Sequence, residues 1–193
     1  MAGREGVSDI VSEEEGLLTI MVEKKGRFIS RRTYIQGMPV TAIGEMAFGT
    51  RTRRALGLTS VTIPDSVTTI GNSAFKLNQL AEVSIPDSVT FIGSSAFSRN
   101  QLADLVIPNS VTFIGRGAFA QNQLTSVIIS NNITRIDLST FMDNRLISIN
   151  IPDNVTRISG MAFTRNQLAS IKIGANVVLG YTSVLSHTKF NMT

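Results

Sequence analysis

Pro64, Pro86, Pro108 and Pro152 fall on one 22-residue grid, with Ser130 and Gly174 at the grid points that lack proline. Phe75, Phe97, Phe119, Phe141 and Phe163 keep the same period, as do Leu58, Leu80, Leu102, Leu124, Leu146 and Leu168. A fourth column is Asn78, Asn100, Asn122, Asn144 and Asn166. Four of the five prolines and five of the ten phenylalanines obey the period, so it governs both the turns and the bulkiest apolar residues. Repetition at this length means one supersecondary unit per period, stacked on its neighbours into a solenoid.

One unit runs from Leu80 to Gln101. Val83-Ser84-Ile85 alternates apolar and polar residues, which predicts a short half-buried strand. Pro86-Asp87-Ser88 is turn chemistry, because proline brings no donor to a ladder and aspartate bonds nearby backbone. Val89 to Ile92 predicts a second short extended piece, and Gly93 permits the bend after it. Ala96-Phe97 sets a small residue beside a large one, as a crowded corner requires. No stretch keeps a helical period for long, so anything helical should be a single turn. Each unit has inward side chains but cannot cover its own apolar edges; at about 1.5–3 kcal/mol per fully buried large side chain, it is stable only with neighbours. The asparagine column suggests a buried ladder bonding the backbone of the next coil, with exposed turn asparagines as the competing reading.

Composition is consistent with a single repeat domain. The chain has 193 residues, 42% of them hydrophobic, which excludes a disordered polymer. No apolar run reaches the roughly 18 residues that span a bilayer, so no membrane span is expected. The stretch Gly16 to Val22 follows Glu13, Glu14 and Glu15, where a secretory leader would carry basic residues, and no leader is expected in this chain. The absence of cysteine excludes disulfides, Cys-ligated zinc, iron–sulfur clusters and thiol catalysis. The net charge of +4 is spread along the chain rather than gathered in a basic arm, so no nucleic-acid partner is expected.

Residues 1–39 lie outside the repeat and are expected to form a tail (Met1 to Ser12) and a capping hairpin. Its strands would be Gly16 to Val22 and Gly26 to Ile35, turning at Lys24-Lys25-Gly26. The array is expected over 40–178: an irregular first coil, five regular coils over 58–167 and a partial last one. Residues 179–193 should close it, with Phe190 as the apolar plug. The first coil carries an insertion with Arg51, Arg53 and Arg54, read as a solvated bulge or a site for acidic groups. The coil from Leu124 to Arg145 departs most from the pattern, with Ser130 for Pro, Asp137 for Gly and Thr140 for Ala, and is a candidate for a bend.

Candidate binding residues come from the columns that should point outward. One reads Thr62, Ser84, Val106, Ile128, Asn150, Lys172; its flank reads Ser60, Glu82, Asp104, Ser126, Ser148, Ser170. A strand face in water should be polar, yet Val106 and Ile128 are apolar neighbours in consecutive coils. A third column, Thr69, Phe91, Phe113, Arg135, Arg157, places two aromatics together in the same way. An apolar patch centred on Val106 and Ile128 is therefore the expected ligand surface, with Ser84, Asn150, Glu82, Asp104, Phe91 and Phe113 around it. The alternative is that these side chains only strengthen their strands.

Catalytic chemistry finds little footing. His187, the lone histidine, has no second ligand at local spacing, and a capping or solvent-facing role is expected for it. Phosphate-binding and nucleophile-elbow motifs are absent. Asp65, Asp87 and Asp153 recur in the turn after proline, where Asn109, Asn131 and Ala175 also stand, so turn geometry explains them. The Asn-x-Thr triplets at Asn132, Asn154 and Asn191 read as by-products of a threonine-rich repeat. Neither metal nor cofactor is expected.

The repeat Leu-x-x-Val-x-Ile-Pro-x-Ser-Val-Thr-x-Ile-Gly-x-x-Ala-Phe-x-x-Asn-Gln resembles the BspA-type, or treponemal, class of bacterial leucine-rich repeats. Val40 to Phe48 carries the same signature ahead of the regular array, and Ile171 to Val177 is similar to the way such arrays end. The resemblance covers about Ile35 to Leu179. It implies a β-rich, right-handed leucine-rich-repeat solenoid, although relatives often have Cys in place of the Asn column and a unit one residue longer. It also implies a surface, periplasmic or secreted protein, with the cytoplasm left open by the missing leader. No catalytic residues come with the family. The function expected is adhesin-like binding of a protein or extracellular-matrix partner. A lipid, glycan or other apolar ligand at the middle coils is the second reading, and an enzyme a distant third.

Overall fold

The computed structural model describes residues 40–50, 56–174 and 177–180, together with the backbone of four short strands before residue 34. The period becomes one turn of a β-solenoid, about five turns in all, with no helix among the described residues. At the start, β1 (Leu18–Ile20) pairs antiparallel with β4 (Arg31–Thr33), and β2 (Val22–Lys24) with β3 (Arg27–Phe28), an antiparallel hairpin. The tail, the three-arginine insertion and the closing segment with Phe190 and His187 lie outside the described residues.

Two sets of short strands follow, numbered together along the chain. The Ile-Gly side carries β5 (Ala42–Ile43), β7 (Thr69–Ile70), β8 (Phe91–Ile92), β10 (Phe113–Ile114), β12 (Arg135–Ile136), β14 (Arg157–Ile158) and β16 (Val178–Leu179). The Ile-Pro side carries β6 (Ser60–Val61), β9 (Asp104–Val106), β11 (Ser126–Ile128), β13 (Ser148–Asn150) and β15 (Ser170–Lys172). Strands within each side pair in parallel, one coil on the next. The first strand of the Ile-Pro side, β6, is instead bordered by the hairpin: β2 runs antiparallel to it, with Val22 opposite Val61.

The core is built of like on like. Phe48, Phe75, Phe97, Phe119, Phe141 and Phe163 form one unbroken stack, with neighbouring ring centroids 5.3, 5.2, 5.5, 5.9 and 5.6 Å apart. Parallel rings at this spacing add modestly to the burial of each phenyl. Beside the stack runs the asparagine ladder, and it is buried. Asn100 donates through Nδ2 to the carbonyls of Phe75 (2.9 Å) and Phe97 (3.0 Å), and its Oδ1 accepts from the Leu80 N–H at 3.1 Å. Asn78, Asn122, Asn144 and Asn166 repeat the pattern. One amide side chain thus satisfies three backbone groups that the tight corner would otherwise leave unpaired.

The corner holds a feature that sequence reading did not find. Each coil from Ser73 onward has two residues in the left-handed region, at Ser73, Ser95, Gly117, Ser139 and Met161, and at Leu77, Arg99, Gln121, Asp143 and Arg165, and the first coil has one at Met46. From Met46 to Asp143, each donates its N–H to a carbonyl of the following coil, as Ser95 does to Arg116 (2.8 Å) and Gln121 to Met142 (2.8 Å). The left-handed turn aims the N–H along the solenoid axis. The cost of that backbone conformation is set against an inter-coil hydrogen bond.

The strand sets are less continuous than the core. On the Ile-Gly side the ladder runs through β5, β7, β8 and β10, lapses, and resumes with β12, β14 and β16. The lapse falls where the glycine column ends. A Cβ at Gly71 or Gly93 would come within 2.7 or 2.6 Å of backbone in the preceding coil, and one at Gly115 would come closer still. Asp137 brings a Cβ onto that glycine-fitted coil, and the Asp137 N–H makes no counterpart of the Gly115-to-Ile92 bond (2.8 Å). Ser159 also carries a Cβ yet bonds Ile136 at 2.8 Å, so a Cβ alone does not break the ladder, and the lapse already includes Thr134, whose N–H makes no counterpart of the Thr112-to-Thr90 bond (3.0 Å). On the Ile-Pro side, β9 pairs with β11 and β13 with β15, but β11 does not pair with β13. The strand expected at Val83-Ser84-Ile85 does not form: residues 82–85 have no ladder partner on either side. Their sequence matches that of paired strands, and nothing in it accounts for the lapse, which lies next to hairpin-bound β6.

Candidate binding faces

The Ile-Pro side presents the predicted columns outward, because strand side chains alternate between faces. Val106 and Ile128 stand opposite one another in the β9–β11 register and are 59% and 64% exposed. Between them and the core, Leu105 is buried and Val127 half-buried, so the strands are anchored without help from the outward pair. Ser84, Asn150, Glu82 and Asp104 are exposed on the same side. Asp104 accepts from the Ser126 hydroxyl at 2.7 Å, across the same pair of strands. Ile147, which sequence reading missed, adds another exposed apolar side chain (57%) just ahead of β13. Its sequence signal was its position after Leu146, where the other coils have Thr or Ala.

Phe91 and Phe113 occupy the other strand set. They stack in parallel, with ring centroids 4.8 Å apart, Phe91 exposed and Phe113 half-buried. Stacking hides one face of each ring against the other, as a cross-strand pair does. The eight candidate residues therefore divide, six on the Ile-Pro side and these two on the Ile-Gly side. Arg135 and Arg157 continue the Phe column, Arg135 ion-paired to Asp137 at 2.6 Å.

Where residues 82–85 lose their partners, the Ile-Pro side opens into two clefts. One of about 520 Å³ is bordered by Ser60, Thr62, Asp65, Glu82, Ser84 and Pro86 over Val61, Ile63 and Val83. The other, about 350 Å³, is bordered by Ser84, Asp87, Asp104, Val106 and Pro108 over Val83, Ile85 and Leu105. The sequence offered no sign of either, since the intervening strand reads like its paired neighbours. Among the described residues no group of three or more His, Cys, Asp or Glu is arranged to hold a metal ion, and no helix is long and apolar enough to cross a membrane.

Residues 41–169 match the model of the BspA-type leucine-rich-repeat region, which comprises six copies of the repeat. Among solved structures, a leucine-rich-repeat protein from Bacteroides ovatus is 22% identical, with a TM-score of 0.56 over 89% of this chain and 55% of its own. A leucine-rich cell-surface protein from Faecalibacterium prausnitzii is 23% identical, with a TM-score of 0.38 over 72% of this chain and 58% of its own. The chain thus spans a little over half the length of these two proteins. No curated protein matches it.

Proposed function

Because the chain belongs to the BspA-type leucine-rich-repeat family, we propose that it is a non-enzymatic module that binds a protein or extracellular-matrix partner on its Ile-Pro side, centred on Val106 and Ile128. The observation that carries this reading is the in-register pair of β-branched side chains, 59% and 64% exposed, in an outward column that is polar in the other coils (Thr62, Ser84, Asn150, Lys172). Apolar anchors ringed by polar groups are what a protein interface uses. Glu82, Asp104, Ser84 and Asn150 supply the rim. The stacked Phe91–Phe113 pair, on the other strand set, belongs to the fold's stability rather than to this face. The adhesin-like role, and the surface, periplasmic or secreted setting, accompany the same reading.

A lipid or apolar small ligand is less well supported. The anchors stand on an open strand face, and the nearby clefts are bordered by carboxylates, which disfavour an apolar guest. The test is a binding screen against matrix proteins, glycans and lipid vesicles, run beside Val106→Asp/Ile128→Asp. The double variant should keep its melting temperature within a few degrees, since both side chains already face water, and lose at least about tenfold in affinity for any partner found. Silence across the screen, or unaltered binding by the double variant, would overturn the proposal.

A further inference from the structure

The Ile-Gly side, which the protein-binding reading leaves unused, carries an ordered set of outward side chains of its own. One column reads Thr69, Phe91, Phe113, Arg135 and Arg157 through consecutive coils. Arg135 and Arg157 are register partners on β12 and β14, and both are exposed. Like charges set directly opposite are unfavourable, so this pairing does nothing to stabilise the strands. Asp137, with its side chain 8% exposed, neutralises Arg135 at 2.6 Å. Arg157 has no side-chain hydrogen bond or ion pair among the described residues, and neither has the exposed Arg116, two residues past β10. Three consecutive coils thus each present an arginine to water beside this strand set.

Next to the arginines runs a column of exposed threonines, Thr68, Thr90, Thr112, Thr134 and Thr156. The hydroxyls of Thr68, Thr90, Thr112 and Thr156 donate to the carbonyl of the preceding coil's threonine, at 3.0, 3.2, 3.3 and 3.1 Å. With its proton committed there, each hydroxyl oxygen has only lone pairs left to offer. A ligand for this surface therefore brings donors close to its negative charges. Carboxylate side chains only accept, whereas acidic sugars carry hydroxyls beside their anionic groups. The Phe91–Phe113 pair adds an apolar stretch at one end. It strengthens its strands, yet Thr69, the register partner of Phe91 on its other flank, is too short to cover a phenyl ring, and Phe91 stays 36% exposed. Sugar rings have apolar C–H faces that can lie against such a surface.

We propose that the Ile-Gly side binds an anionic polysaccharide laid along the solenoid axis, with its sulfate or carboxylate groups on Arg116, Arg135 and Arg157. Planar guanidinium forks suit such oxyanions better than point charges do. Hydroxyls of the same polymer meet the threonine column, and ring faces meet Phe91. This is a second site, separate from the face centred on Val106 and Ile128.

A heparin hexasaccharide is the probe, with polyglutamate and a neutral dextran oligosaccharide as controls. Affinity is read by titration calorimetry and position by amide chemical-shift changes. The hexasaccharide should bind, move the amide signals of Thr134, Arg135, Thr156 and Arg157, and weaken as salt rises. Arg116→Ser/Arg157→Ser leaves the Arg135–Asp137 pair in place and should bind at least about tenfold more weakly. Arg99→Ser/Arg165→Ser removes the same charge from the corner, where these arginines bond Gln121 and Asp143, and should stay within about threefold. Val106→Ser/Ile128→Ser should leave the affinity within about twofold. No binding, equal losses in the two arginine variants, or shifts confined to the Ile-Pro side would each overturn the proposal. Polyglutamate binding as tightly as the hexasaccharide would also overturn it, in favour of an acidic protein segment. The two sites fail separately: loss of partner binding in the Val106/Ile128 variant says nothing against the arginines, and a silent hexasaccharide says nothing against the Ile-Pro face.

Discussion

The coil of residues 102–123 and the coil of residues 124–145 have the same corner and different sides. Both place a phenylalanine in the stack and an asparagine in the ladder, and Phe119 donates its N–H to Thr140 across the junction at 3.0 Å. Yet the first is bonded to the coil before it along the Ile-Gly side, and the second is not. The second coil is held to its predecessor by the Ile-Pro strands β9 and β11, and to its successor by the Ile-Gly strands β12 and β14. It changes sides as it passes through. Interior ladders therefore define the solenoid, whereas strand pairing is a local matter that can lapse on one side without breaking them.

The strongest test of that division is the asparagine ladder, which crosses the junction unbroken. Asn100→Ala and Asn144→Ala should each leave three buried backbone groups without partners and cost about 3 kcal/mol or more. Urea unfolding should return similar losses for the two, although one lies in the regular part and the other in the irregular coil. A loss at Asn144 less than half that at Asn100 would mean that the junction weakens the corner as well as the sides. Solenoids can unfold in parts, so each loss is best measured as local amide exchange together with the global transition.

Asp137→Gly addresses the sides. Removing the Cβ should let residue 137 donate to Ile114 as Gly115 does to Ile92, restoring the Ile-Gly ladder between β10 and β12. The variant forfeits the Arg135–Asp137 pair, in which the arginine is half exposed, worth at most about 1 kcal/mol. Stability should therefore change by less than about 1 kcal/mol, since one hydrogen bond is gained as the pair is lost. The amide of residue 137 should exchange at least about tenfold more slowly, the factor expected for about 1.4 kcal/mol of protection. Unchanged exchange there would show that something other than the Cβ holds the coils apart.

What the sequence revealed follows the same division. The Phe and Asn columns were legible because burial and hydrogen-bond satisfaction permit few residue types, so the period is written in identities. The exposure of Val106 and Ile128 was legible too, from alternation within a strand. The left-handed corners were not, because serine, methionine, leucine, arginine and aspartate all occupy them, and only Gly117 has the expected identity. Their geometry is imposed by bonds to the next coil, which no single unit contains. The lapse at residues 82–85 was hidden for the same reason: pairing is a relation between coils, and Val83-Ser84-Ile85 satisfies every local rule for a strand.

The left-handed column supplies the finest comparison, because it crosses the junction with glycine on one side and serine on the other. Gly117 has φ of 60° and Ser139 of 57°, and each N–H is bonded to the next coil, at 3.0 and 3.3 Å. A Cβ at Gly117 would meet only ordinary contacts, 3.7 Å from the Ser95 hydroxyl oxygen and 3.8 Å from the Ala120 Cβ. Backbone conformation, not space, thus separates the two residues. An L side chain in this region costs about 1–2 kcal/mol, partly offset because glycine loses more chain entropy on folding, by about 0.4–1 kcal/mol. Ser139→Gly should accordingly stabilise, and Gly117→Ser destabilise, each by a few tenths to about 1 kcal/mol. Equal and opposite shifts would show that the corner is indifferent to the broken ladder beside it. A gain at Ser139 well below the loss at Gly117 would show instead that the irregular coil has already relaxed its corner, extending the influence of Asp137 from the sides into the interior.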